Sequence, residues 1–162
     1  MEDDGFRLNV ILGASLVMEL LPIKTPLVKE GDNITSIILE SVKKAKVEIR
    51  DDDVLIVADK IVATSEGRNV VYDSVKPSIR AHRLARKYAL EPAFVELVLR
   101  DADEIYGGVH RALLTLRGNI LIANAGLDHK NAPPNSACLW SVNPNKTARE
   151  LWKKMSKKTG VS

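Results

Sequence analysis

Eight consecutive residues, Asn124-Ala125-Gly126-Leu127-Asp128-His129-Lys130-Asn131, hold the densest chemistry in the chain. They supply one carboxylate, two amides and a glycine turn directly after the apolar run Leu121-Ile122-Ala123. A strand running into a glycine-containing loop is a firm base from which a lone carboxylate can be offered to a metal ion or a phosphate group. The same residue types also build an ordinary Asx turn, with the side chains bonding their own backbone. Elsewhere candidates are fewer. His82, His110 and His129 stand at no zinc-ligand spacing with one another or with Cys138. His129 beside Asp128 has the type of a ligand or proton carrier, although a lone loop histidine is usually neither. Cys138 precedes Leu139-Trp140 and reads as a buried, inert thiol rather than a nucleophile. No Ser-His-Asp spacing and no Walker-type glycine loop is present.

Two cationic clusters complete the inventory. Arg80, Arg83, Arg86 and Lys87 fall in one segment. Lys146, Arg149, Lys153, Lys154, Lys157 and Lys158 fall in another, against a single Glu150. Each reads either as a solvated helix face, with cations favoured near a helix C-terminus, or as a surface for phosphate or an acidic partner. No aromatic residues interleave with them, so a nucleic-acid partner is not indicated.

The elements that must position these residues follow from hydrophobic spacing. Ser15 to Ile23 reads as a strand, and Pro22 and Pro26 then hold an extended loop through Val28. Asp32 is the expected N-cap of a helix reaching about Lys46, with Ile34, Ile37, Ile38, Val42 and Ala45 inside. The continuous run Val54-Leu55-Ile56-Val57-Ala58 has the pattern of a strand buried on both faces. Asp59 to Ser65 leaves it as a helical turn that Glu66-Gly67-Arg68 breaks. Pro77-Ser78 opens a helix with Ile79, Leu84, Ala85 and Tyr88 on one side. Glu91-Pro92 opens another, with Phe94, Val95, Val98 and Leu99 inside. Ala112–Leu116 and Ile120–Ala123 flank Arg117-Gly118-Asn119 as a β-hairpin. Asn145 or Thr147 caps a last basic helix with Leu151, Trp152 and Met155 apolar and Gly160 at its end. Trp140 and Trp152 are expected to anchor the C-terminal segment.

Composition limits the class. The chain has 162 residues, of which 45% are hydrophobic and 28% charged, enough for one soluble globular domain over 1–162. Aromatic residues make up only 4%, so Ile, Val, Leu and Ala must fill the core. An α/β fold is expected, a mixed sheet with a β-hairpin packed by three or four helices. The net charge of +3, from 24 basic and 21 acidic residues, demands no anionic polymer. A single cysteine excludes an internal disulfide and fits a reducing cytoplasm. Leu8 to Leu21 is too short to span a bilayer and lacks the basic start of a signal peptide, so no membrane role is expected.

Three segments together resemble the coenzyme F420-0:γ-glutamyl ligase family. Thr25-Pro26-Leu27-Val28-Lys29-Glu30-Gly31-Asp32 is similar to that family's leading nucleotide-binding loop. Val54 to Arg68, containing Asp59-Lys60-Ile61-Val62-Ala63-Thr64-Ser65-Glu66-Gly67-Arg68, is similar to its strand followed by KIVSKAEGR. Asn124-Ala125-Gly126-Leu127-Asp128 with Asn131 is similar to its NAGID..N loop. The resemblance covers about Leu20 to Gly160. It implies a homodimer that uses GTP and Mn2+ or Mg2+ to join L-glutamate to the deazaflavin coenzyme F420-0 through an acyl phosphate. It further implies that Asp128 is a metal ligand. Thr25, Pro26, Leu27, Val28, Asp59, Lys60 and Asn131 are then the nucleotide contacts. No catalytic side chain is assigned.

The departures bear on activity. Thr64 stands where the family has a lysine, removing a cation that neutralises phosphate. Lys60, one helical turn away, is either its substitute or a solvated side chain. Lys130 adds charge beside Asp128, and Asn143-Pro144-Asn145 replaces a D-P-D turn. Family members continue beyond Ser162 into a segment whose aspartate and hydroxyl residue complete the metal site. The alternative expectation is therefore a non-catalytic binding or assembly module, or one half of a split ligase.

Overall fold

The computed structural model describes residues 8–11, 17–130 and 132–161. The chain divides into two compact units, one of 1–28, 32–55 and 145–162 and the other of 29–31 and 56–144. The α/β class and the hairpin are as expected, with five α-helices among the described residues. The strands form three small antiparallel sheets.

In the first unit, β1 (Leu8–Ile11) pairs with β2 (Val17–Leu20). The segment 21–28 takes no regular secondary structure, as its two prolines favour. Helix α1 (Ile34–Lys44) buries Ile34, Ile38 and Val42, one residue per turn. Its cap is Asn33, not Asp32: the Asn33 side-chain oxygen accepts the Ser36 N–H at 3.1 Å. That bond fixes the helix start one residue later than expected. The last helix spans Pro144–Thr159, so neither Asn145 nor Thr147 stands ahead of it. Proline is favoured in the first turn because no intrahelical partner awaits its missing N–H. In that helix only Met155 is buried; Trp152 is 58% exposed, contrary to the anchoring role expected of it.

The second unit carries the larger core. Helix α2 (Asp59–Ser65) ends at Gly67, whose φ of +70° is the expected break. Strand β3 (Asn69–Val71) pairs with β7 (Ser136–Cys138). Helix α3 (Ile79–Tyr88) is capped by the Ser78 hydroxyl, which accepts the Ala81 N–H at 3.2 Å. Helix α4 (Pro92–Asp101) buries Phe94, Val95 and Val98 completely. Strands β4 (Glu104–Val109), β5 (Ala112–Arg117) and β6 (Ile120–Ala123) form a meander. Gly118 and Asn119, with φ of 54° and 66°, close the β5–β6 hairpin in the conformation that such two-residue turns require.

Two further expectations fail. Val54 to Ala58 takes no place in any of the three sheets, and Val54 and Ile56 are 85% and 80% exposed. An apolar run becomes a strand only where a neighbour accepts its backbone hydrogen bonds, and no described strand pairs with this one. Ile79 is 90% exposed because α3 buries Ala81 and Ala85, and two helical residues carry a side chain about 200° round the axis. The basic residues Arg80, Arg83, Arg86 and Lys87 lie on its exposed side, as do the lysines and Arg149 of the last helix on theirs. No helix among the described residues is long and apolar enough to cross a membrane.

Candidate functional site

The loop after β6 is positioned by one buried threonine. Thr115, fully buried in β5, donates its hydroxyl to the Ile122 carbonyl at 2.5 Å and accepts the Ala125 N–H at 2.8 Å. The Asn124 side-chain oxygen accepts the Leu113 N–H at 2.8 Å. These bonds hold Asn124, Ala125 and Gly126 at φ of 53°, 53° and 81°, a left-handed path that non-glycine residues adopt only under such constraint. Gly126 is required for a second reason, because a Cβ there would lie 2.8 Å from Trp140 Cε3. The chain is thereby turned so that Asp128 bridges Cys138 through both backbone bonds, Asp128 N–H to Cys138 O at 2.9 Å and Cys138 N–H to Asp128 O at 2.8 Å.

Helix α2 is tied to the segment after β7 at both ends. At its start both Asp59 carboxylate oxygens accept from Ser141: Oδ1 from the hydroxyl, and Oδ2 from the N–H at 3.1 Å. At its end Glu66 Oε2 accepts the Val142 N–H at 2.9 Å, and Arg68 Nε donates to the Trp140 carbonyl at 3.1 Å. Between these ties the Thr64 hydroxyl lies 3.9 Å from Cys138 Sγ. Burial pushes the Cys138 thiol pKa up, which keeps it protonated and fits the inert role expected of it.

These ties bring Lys60 over Asp128. The Lys60 ammonium lies 3.7 Å from Asp128 Oδ2, while Asp128 Oδ1 accepts the Lys130 N–H at 2.9 Å. Asp59, Lys60 and Asp128 line a cavity of about 320 Å³ whose apolar wall is Ile122, Leu139 and Trp140. The Arg117 guanidinium stacks 5.0 Å from the Trp140 ring and pairs with Asp101 at 3.1 Å, which holds that wall in place. His129 turns away into packing, stacked on Phe94 at 4.5 Å, and burial lowers its pKa so that the neutral ring is favoured.

Of the residues singled out from the sequence, Asp59, Lys60 and Asp128 therefore converge. Thr25, Pro26, Leu27 and Val28 belong to the other unit, where Leu27 is 87% exposed and Val28 is buried. Asn131 lies outside the described residues. Ser141 and Trp140 have central places at the cavity that spacing alone does not reveal, since they arrive from the segment after β7. A divalent ion would find an incomplete donor set. Asp128 offers one carboxylate, the Asp59 oxygens are engaged by Ser141, and no group of three or more His, Cys, Asp or Glu able to hold a metal occurs among the described residues.

A family model described as F420-0:gamma-glutamyl ligase matches residues 22–162. The chain is 33% identical over 148 residues to the coenzyme F420:L-glutamate ligase of Methanopyrus kandleri, covering 91% of this chain and 56% of that protein. It is 31% identical over 137 residues to the protein of the same name from Methanosarcina mazei, covering 85% and 52%. With that of Methanothermobacter thermautotrophicus it shares 28% identity over 136 residues, covering 83% and 54%. The chain thus spans about half the length of these relatives.

Proposed function

The chain belongs to the F420-0:gamma-glutamyl ligase family, and on that premise we propose that it acts in the GTP-dependent addition of L-glutamate to the deazaflavin coenzyme F420-0. The observation that carries this reading is the convergence of Asp59, Lys60 and Asp128 on one cavity, each from a segment that resembles a family motif. In the reaction, a carboxylate oxygen of F420-0 attacks the γ-phosphorus of GTP and GDP leaves. The glutamate amine then attacks the acyl carbon of the resulting acyl phosphate. The bond from that carbon to the phosphate oxygen breaks, inorganic phosphate leaves, and the nitrogen loses a proton as the amide forms.

Such chemistry is mostly positioning and charge stabilisation. Lys60 supplies the cavity's ammonium, and its place is secured because the neighbouring Asp59 is bonded to Ser141. Thr25 to Val28 and Asn131 serve the nucleotide in this reading. Mn2+ or Mg2+ accompanies GTP, but the described residues do not complete a site for it, and no step is assigned to the ion. A homodimer in the cytoplasm is the expected working form, which sedimentation at micromolar concentration checks.

A second reading is favoured by a specific pair of observations. Thr64, which stands where the resemblance implies a lysine, is half-buried against Cys138, and no three-ligand cluster forms among the described residues. These suit a non-catalytic binding or assembly module. Incubating the protein with GTP, Mn2+, L-glutamate and F420-0 and analysing for glutamylated coenzyme separates the two. Product is expected from the wild type and none from Asp128→Ala. A wild type without product supports the second reading, and an active Asp128→Ala clears that residue of any part in the reaction.

A further inference from the structure

Helix α3 carries three arginines and one lysine in ten residues, with no carboxylate among them. Its buried side is Ala81 and Ala85. Opposite them Ile79, His82, Arg83 and Arg86 follow the i, i+3, i+4 and i+7 spacing of one helical face, and all four are exposed, Ile79 at 90%. Arg80 and Lys87 flank that row, the Lys87 ammonium 5.0 Å from the centre of the Tyr88 ring. Among the described residues no carboxylate forms an ion pair with Arg80, Arg83 or Arg86.

A solvated face accounts for only part of this. Cations are favoured in a last turn, which covers Arg86 and Lys87, but Arg80 stands in the first turn, where the helix dipole repels positive charge. Arg83 has Arg80 and Arg86 three residues away and Lys87 four away. Like charges at those spacings are surface neighbours and destabilise a helix. The last helix differs, because its Lys146 lies 3.9 Å from Glu150 and its final lysines agree with the dipole. Helix α3 thus keeps a charge arrangement that weakens it, around an isoleucine left in water.

We propose that this face of α3 docks an acidic segment of a partner protein, with Ile79 filling an apolar recess and Arg80, Arg83 and Arg86 pairing with carboxylates around it. An apolar centre, a charged rim and arginine as the prevailing cation are the anatomy of a protein interface. The planar guanidinium also meets a carboxylate with two parallel hydrogen bonds. A membrane surface calls for a row of apolar side chains to insert, where α3 exposes one. A single-stranded nucleic acid calls for aromatic platforms, which the exposed side of α3 does not carry. The inference goes beyond the ligase reading and does not rest on it.

The test is isothermal titration calorimetry on the full chain, using a helical peptide with a leucine row flanked by glutamates and its counterpart with glutamines. At low ionic strength the glutamate peptide is expected to bind about tenfold or more tightly than the glutamine peptide, and added salt to erase most of that difference. Arg83→Glu is expected to weaken binding about tenfold or more, yet to raise the Tm of the free protein by about 2–4 °C as three repulsions become attractions. Ile79→Ser is expected to weaken binding about tenfold with an unchanged Tm. Equal binding of the two peptides, a lowered Tm for Arg83→Glu, or undiminished binding by Ile79→Ser overturns the proposal. A duplex oligonucleotide or phosphatidylglycerol vesicles bound more tightly than the glutamate peptide overturns it as well.

Discussion

Replacing Gly126 by alanine should destabilise the second unit by about 2–5 kcal/mol, through two separable effects. The residue sits at φ +81°, where a Cβ costs an L-residue about 1–2 kcal/mol. The new Cβ would also stand 2.8 Å from Trp140 Cε3 and 3.0 Å from Cδ2, both closer than ordinary contact, and 3.4 Å from Ile122 Cδ1. Trp140 cannot retreat easily, because the carbonyl of the same residue is bonded by Arg68 and Arg117 stacks on the ring. Overpacking of that kind costs about 1–3 kcal/mol. Gly118 provides the control. It has φ +54° and nothing within 4 Å of its built Cβ, so Gly118→Ala should show the conformational part alone, about 1–2 kcal/mol. Urea unfolding followed by Trp140 fluorescence in a Trp152→Phe background measures both variants. Equal losses for the two substitutions would refute the claim that the loop glycine makes room for Trp140.

Other expectations are narrower. Ser141→Ala removes the hydroxyl bond to the Asp59 carboxylate at a buried position and should cost about 1.5–3 kcal/mol in the same urea experiment; a neutral result would show that this tie does not hold α2. The folded-state pKa of His129 lies below the usual histidine value of 6.5. Its stability contribution is therefore complete above about pH 6.5 and is lost as pH falls through the folded value, because the unfolded chain takes the proton first. Proton NMR of the His129 ring should give a midpoint below that of the unfolded chain, and a higher one would contradict the burial argument. Thr64→Lys should enlarge the thermal shift produced by GTP with Mn2+, corresponding to about tenfold or more in affinity from one charge-assisted phosphate bond. Equal shifts for variant and wild type would mean that position 64 faces the Cys138 thiol only.

Local patterns in the chain were enough to determine much of this protein. Proline and serine at Pro77-Ser78, and Glu91-Pro92, mark helix starts because capping and fixed φ act within a few residues, and α3 and α4 begin there. The Gly118-Asn119 hairpin and the break at Gly67 are likewise local demands for positive φ. The motif segments around Asp59-Lys60 and Asn124 to Asp128 carried the family resemblance for the same reason, since a glycine, a carboxylate and their spacing survive in one dimension, and the family match over 22–162 includes both. Tertiary structure decided the rest. Val54 to Ala58 has the composition of a buried strand but no described partner, since pairing depends on what lies beside a segment rather than on what it contains. The three-residue strands β3 and β7 are too short to show a period, and each exists only through the other. Ser141 reaches Asp59 and Lys60 reaches Asp128 across long stretches of chain, and no spacing rule encodes such meetings. The sequence therefore determined which residues have the chemistry, because residue type is local. Only the fold decided that Lys60 meets Asp128 while Asp59 is held by Ser141, because a charge takes its partner from three-dimensional proximity.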